Sequence, residues 1–333
     1  MKKVKILFGA LAITAAMGLV SCYTGSQYEE PDANKPANPA NGGGNGQGEN
    51  DKNATVFKNI VMKKIEAGSF KFKYGADDEA EEVNLGAFNI SSTEITQELY
   101  EKIMGTNPSD HKDGAADGEV QEKRPVDCVS FYAALVFCNK LSVKEGLTPV
   151  YKIKDSTDTG TWGDIPTTDD NDWNAVTEVE DATGFRLPHE KEWMFAALGS
   201  NAIAFSGFDE RFFSGFAGEE EKDKIDDYAW YLTTKEGGDE EKGNSEKTTH
   251  EVAKKLPNSN GVYDMTGNVW ELCWDYINET EHKHARHGGG FNQEYLGHYS
   301  VSTRWDIPAH EGWGDVGFRV VCSASAKPGA NAD

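Results

Sequence analysis

Positive charge is in short supply. In 333 residues, 33 Lys and Arg face 56 Asp and Glu, a formal net charge of −23. Phosphate backbones are gripped by Lys/Arg patches, so this balance argues against a nucleic-acid partner. An acidic surface instead keeps a protein soluble, and a monomer is expected. Cysteine is scarce as well: there are five, and no two are spaced CxxC. That removes a dense disulfide scaffold, a zinc ribbon and a thioredoxin-like site. The longest apolar run, near the N-terminus, is too short to span a bilayer. There is no Walker loop, no GxSxG elbow, no GxGxxG after a strand and no HxxxH pair in a helical context.

The N-terminus reads as a targeting segment. Lys2, Lys3 and Lys5 precede the apolar run Ile6 to Ala16. Leu19-Val20-Ser21-Cys22 then looks like a bacterial lipobox, which implies cleavage before Cys22 and lipid on that residue. Several acyl chains give stable membrane anchoring where one is marginal, so the expected location is the bacterial outer membrane or cell surface. Residues 22–53 carry Pro31, Pro36, Pro39 and a Gly/Asn run from Asn41 to Gly48. Nothing there can bury a core, which predicts a disordered tether with a reach of roughly 30 Å. The remaining cysteines, Cys128, Cys138, Cys273 and Cys322, allow three full pairings between which the sequence does not choose.

Past the tether, local patterns predict ordered elements. Ser69 to Tyr74 alternates, with Phe70, Phe72 and Tyr74 on one face, as a half-buried strand does. Asp77 to Glu82 reads as a solvated acidic loop, and Val83 to Ser91 as a second strand. Thr96 can cap a short helix ending at Gly105. Ser130 can cap a stronger one, with Phe131, Ala134, Leu135, Cys138 and Leu141 on one apolar stripe. Trp162 and Trp173 fit local packing in an irregular region. Pro188 fits the first turn of a third helix, and Lys235 to Glu251 reads as a mobile charged insertion. His282, Lys283, His284 and His287 read as a polar loop before the next strand.

The chain is organised around Arg286 to Val321. Arg286-His287-Gly288-Gly289-Gly290-Phe291 opens this stretch and Gly317-Phe318-Arg319-Val320-Val321 closes it. Between them lie about 25 residues without helix or strand period, a length that is usually functional or disordered. Disordered segments are poor in aromatics, and this one is rich in them. Trp, Tyr and Arg dominate binding hot spots, and Tyr and Trp offer large contact area at low entropic cost. The expected exposed binding positions are Asn292, Glu294, Tyr295, His298, Tyr299, Thr303, Trp305, Asp306, Ile307, His310, Glu311, Trp313 and Asp315. Val301, Ser302, Arg304 and Pro308 read as scaffold.

Four blocks come in fixed order: Gly184-Phe185-Arg186-Leu187-Pro188 with Glu192-Trp193; Gly261-Val262-Tyr263-Asp264-Met265-x-Gly267-Asn268-Val269-Trp270-Glu271; Arg286-x-Gly288-Gly289-x-Phe291; and Gly317-Phe318-Arg319. From about Val56 to Ser323 the chain resembles the formylglycine-generating-enzyme (sulfatase-modifying factor) family, a branch of the C-type-lectin-like fold. The resemblance implies an α+β class: one domain with short mixed strands, two main helices and much irregular structure. The expected division is a signal peptide at 1–21, the lipid-anchored tether at 22–53, the lectin-like domain at 54–324 and a disordered tail at 325–333. It also implies calcium held by the side chains of Asp264 and Glu271 and the backbone oxygens of Gly267 and Val269. Oxygen-only ligands suit that hard cation.

The catalytic part of the resemblance fails. The family's enzymes carry two copper-binding cysteines two and seven residues after the motif aromatic, where this chain has Gln293 and His298. Without thiolates there is no soft-metal site, and copper is not expected. The better match is to non-catalytic members diversified by retroelements, whose C-terminal segment is varied between two such constant boundaries. The expected function is therefore display of a ligand-binding loop for an extracellular protein or carbohydrate. A lectin of fixed specificity is the alternative, and the copper oxidase comes last.

Overall fold

The computed structural model describes residues 54–329, apart from 74–76, 200–201, 203–206, 208–211, 215, 218–223 and 234–241. The signal segment, Cys22 and the tether lie outside the described residues, as do Tyr74 and much of the Lys235–Glu251 insertion. Strands β1 (Ala54–Val56), β2 (Val61–Ile65), β3 (Gly68–Phe72), β4 (Glu81–Leu85) and β5 (Phe88–Ser91) come first. Helices α1 (Gln97–Met104) and α2 (Phe131–Lys144) follow. The middle of the chain holds small elements: β6 (Tyr151–Lys152), α3 (Asn171–Asn174) and β7 (Thr177–Glu178), then α4 (Glu190–Leu198), β8 (Phe212–Phe213), β9 (Phe216–Ala217), α5 (Ile225–Tyr228), β10 (Leu232–Thr233) and β11 (Lys242–Gly243). The last part is β12 (Trp270–Asn278), β13 (Lys283–His287), β14 (Arg304–Pro308), β15 (Val316–Gly317) and β16 (Val321–Ser323).

Local chemistry accounts for the helix ends. The Thr96 hydroxyl accepts from the Leu99 N–H at 3.3 Å, and Gly105 closes α1 at φ +84°. Ser130 caps α2 through the Ala133 N–H at 3.2 Å. The expected stripe on α2 is buried, but so are Tyr132, Ala133, Val136, Phe137, Asn139 and Ser142. The helix is wrapped on nearly all sides, so its apolar face is wider than the stripe. α4 begins at Glu190 with His189 as its cap. Pro188 therefore stands just before the helix, and the His189 N–H donates to Glu192 Oε2 at 2.9 Å.

One four-stranded sheet has the order β1-β2-β5-β16, the other β14-β13-β12-β15. In the first, Val321 of β16 pairs with Ile90 of β5, which ties the two ends of the domain together. The second sheet lies between two cores, because successive strand residues point to opposite faces. Leu272 and Ile307 enter the core built on α2, with Phe131, Phe137 and Phe318. Cys273 and Ala285 enter the core built on α4, with Trp193, Met194 and Val321.

Several local expectations change. The second strand is two, β4 and β5, so Glu81 and Glu82 sit in a strand, still exposed, and not in a loop. The end of the charged insertion is packed: His250 is 3% exposed and stacks on Trp230 at 3.8 Å. Trp162 and Trp173 pack edge to face at 5.7 Å, as expected. The tail is ordered as far as it is described, with Ala326 buried and the Gly329 N–H donating to the Glu145 carbonyl at 3.0 Å. Cys128, Cys138, Cys273 and Cys322 are all free thiols.

Candidate ligand-binding face

The loop leaves β13 through its glycines. Gly289 has φ +78°, and a Cβ there would lie 2.6 Å from the Tyr299 ring. Gly317 is as constrained, since a Cβ would meet the Val126 carbonyl at 2.4 Å. Tyr299 is the pin of the loop. It is fully buried, its hydroxyl donates to the Leu232 carbonyl at 3.1 Å and accepts the Gln293 N–H at 3.1 Å. Burial pushes its phenol well above the usual range.

Two expected binding positions therefore belong to the framework. Tyr299 holds the loop together, and Ile307 is buried in the α2 core; each is 0% exposed. The segment is also less irregular than its sequence suggests. Leu296–Tyr299 forms a 3-10 turn, and β14 pairs antiparallel with β13 in the register Arg286↔Trp305. The apparent histidine cluster separates on that strand. His284 packs on Phe131 with ring centres 3.4 Å apart, while His287 stacks on Trp193 on the other side.

Asn292, Glu294, Tyr295 and Trp305 are exposed, Tyr295 by 45% and Trp305 by 47%. His298 sits edge to face with both rings at 5.4 Å, making one aromatic ridge. Thr303, Asp306, His310, Glu311, Trp313 and Asp315 are half-buried. The Thr303 hydroxyl donates to the Gly297 carbonyl at 2.7 Å, and the Trp313 indole N–H to Glu311 at 2.8 Å. Val301 and Ser302 are buried, as scaffold should be. Arg304 is anchored from below by Glu190, whose carboxylate also accepts from His287 Nε2 at 3.1 Å.

Residues of the four blocks form two charge networks, one partly and one fully buried. The Arg186 fork grips Glu192 at 2.6 and 2.7 Å. Trp193 donates to Glu271 Oε2 at 2.5 Å, and Arg319 holds both Glu271 oxygens at 2.5 and 2.6 Å. This geometry bears on calcium. Asp264 offers a buried Oδ1 with no partner, as a ligand oxygen would, and burial pushes its carboxyl up to about 6. Glu271 does not fit, because a cation would have to displace a guanidinium from a fully buried carboxylate. Calcium held by Asp264, Gly267, Val269 and Glu271 would therefore require the Glu271–Arg319 pair to open. Among the described residues no group of three or more His, Cys, Asp or Glu is placed to hold a metal. Sequence reasoning missed Glu94, which takes the Val269 N–H at 3.1 Å and the Asn268 amide at 2.7 Å. It carries no motif signal.

At the enzymes' two cysteine positions, Gln293 bonds the Leu232 carbonyl through its N–H at 2.8 Å, and His298 lies in the aromatic ridge. Cys128 lies against the loop, its N–H donating to the Trp313 carbonyl at 3.0 Å. Burial, then Asp127 and Asp110, push that thiol well above its usual value, so it is protonated.

The fold and these motif networks define the class: the chain belongs to the sulfatase-modifying factor enzyme 1-like family, whose domain it matches over residues 47–324. It is similar to the solved Treponema denticola variable protein 1, at 33% identity and a TM-score of 0.67, covering 81% of this chain and 98% of that one. It is 32% identical over 285 residues to the chaperone protein LppX of Paenibacillus barcinonensis, covering 81% of this chain and 91% of that protein. The formylglycine-generating enzyme of Streptomyces coelicolor is 27% identical over 178 residues, about half of either chain at 48% and 54%.

Proposed function

We propose that this chain is a lipid-anchored bacterial surface protein that binds a ligand, without catalysis, through the outer side chains of the 291–316 loop. The observation that carries this reading is the division of the loop. Phe291, Tyr299, Val301, Ile307 and Gly317 are buried, while Asn292, Glu294, Tyr295 and Trp305 project outward. Outer positions of this kind accept substitution at little cost, since surface changes away from packing are usually within about 0.5 kcal/mol. Two relatives are named as a variable protein and a chaperone protein, and both names suit binding over chemistry. Gln293 and His298 in place of two thiols point the same way.

Sequencing the locus across isolates, codon by codon from 285 to 321, tests the reading. Changes should concentrate at Tyr295, Trp305, Trp313 and the other outer positions, over an unchanged Gly288–Phe291 and Gly317–Val321 frame. Uniform constancy would sink diversification and favour the second reading, a fixed lectin using exposed Trp305 as a stacking platform; sugar arrays would then identify its glycan. The anchor has its own test. Cys22→Ser should abolish acyl labelling and move the protein from the membrane fraction to the soluble one, and continued membrane retention of the unlabelled variant would refute lipidation at Cys22.

A further inference from the structure

The least satisfied group in this face is Arg286. Its residue is 7% exposed, and its guanidinium carbon lies 4.9 Å from the Trp270 ring centre and 4.5 Å from that of Trp313. Nε and Nη1 are buried without a hydrogen-bond partner. The nearest carboxylate, Asp315, is 3.7 Å from Nη1, beyond hydrogen-bonding range, and Gln293 Nε2 reaches its other oxygen at 3.4 Å. The other arginines near the core are placed differently. Arg319 donates to Glu271, Ser91 and Tyr263, and Arg186 to Glu192 and Leu187.

A buried charged donor left unmade is costly, and such groups in native structures call for an explanation. Burial holds the Arg286 pKa below the usual arginine value, with Asp315 and Asp306 opposing, yet arginine stays charged in proteins. With indoles against its faces, the guanidinium has only its N–H rim left to offer. That rim is a planar fork matched to a carboxylate. It is a local cation in a chain of net charge −23. Two of the three residues that enclose it, Trp313 and Asp315, belong to the loop itself.

We propose that Arg286 is the anchor for a carboxylate of the ligand, an Asp or Glu side chain of a protein partner, and that Asp315 is the internal competitor for it. The proposal rests on the loop-binding reading and adds the chemistry of the ligand. Protein is favoured over glycan by the Tyr, Trp and His ridge beside the site, a composition typical of protein-binding loops. The half-buried Trp313 ring packs on the guanidinium, so a change at that position should alter how readily a carboxylate reaches it.

The test is a titration of the full chain in detergent, at constant ionic strength, with capped Gly-Glu-Gly and its Gly-Gln-Gly isostere, read by tryptophan fluorescence and side-chain NMR. The Glu peptide should bind saturably and at least about fivefold more tightly than the Gln peptide. Arg286→Gln should abolish the preference, and Arg286→Lys should weaken it about as much as loss of the fork implies. Asp315→Asn keeps the arginine and should tighten binding several-fold, a change of opposite sign that a folding defect would not produce. Equal binding of both peptides, no saturable response, a preference that survives Arg286→Gln, or binding of glucuronate without the Glu peptide would overturn the proposal. Variation across isolates with no carboxylate preference removes only this inference; a constant loop with the preference intact removes only the diversified-loop reading.

Discussion

Arg319→Ala should cost about 3–5 kcal/mol, because it leaves the buried Glu271 carboxylate without its counter-charge. Arg319 is fully buried, and besides both Glu271 oxygens it serves the Ser91 and Tyr263 carbonyls at 3.1 and 2.9 Å. Glu94 and Asp264 place two more carboxyl groups in the same interior. Burial, then Asp264 and Glu271, hold the Glu94 carboxyl well above its ordinary value, and Arg319 opposes that. Domains are typically stable by only about 5–15 kcal/mol, so one substitution would remove a large share. At roughly 2–4 °C per kcal/mol for a domain this size, thermal unfolding should drop by about 10 °C. The double change Glu271→Leu with Arg319→Met removes both charges and should cost less than Arg319→Ala alone. Simple additivity in the double-mutant cycle would mean that the pair is not coupled.

Glu190→Gln should cost about 3 kcal/mol, the lower end for a broken buried pair, because Arg304 is partly open to water. Glu190 stands in the first turn of α4, where its N–H donates to Asp275 Oδ2 at 2.6 Å. Its carboxylate receives Arg304 and His287, one on the edge strand under the loop and one at the end of β13. Burial alone would raise its pKa, but His287 and Arg304 outweigh burial and leave it below the ordinary 4.5. A carboxyl depressed on folding stabilises fully above its unfolded pKa and loses that contribution as pH falls through the folded value. Urea melts of wild type and Glu190→Gln from pH 7 to pH 3 should therefore converge at the acid end; curves that stay parallel would contradict the assignment. Hydrogen exchange should quicken at 303–306 in the variant while β5 stays protected.

Where the sequence was legible, the determinants were local. Thr96, Gly105 and Ser130 mark helix ends because caps act within one turn. The Gly288–Gly290 and Gly317 frame was readable because only glycine meets those backbone demands. Gln293 and His298, at the positions where the family's enzymes carry cysteines, are read from residue type alone. The short strand β14 went unread although Trp305 and Ile307 alternate with Arg304 and Asp306 around them. Five residues ending in proline give a weak period, and pairing with β13 decides the matter.

The sequence by itself determined the family, the frame of the loop, the aromatic character of its outer face and the absence of thiols there. Only the tertiary structure decided which loop residues face water, since Tyr299 and Ile307 look as suited to binding as Tyr295 and Trp305. It also decided that Glu271 is spent on Arg319, 48 residues away in the chain, and that Arg286 lies against two indoles with Nε and Nη1 unused. A side chain's partner across such separations depends on which strands pair and which faces they present, and no window of neighbouring residues encodes that.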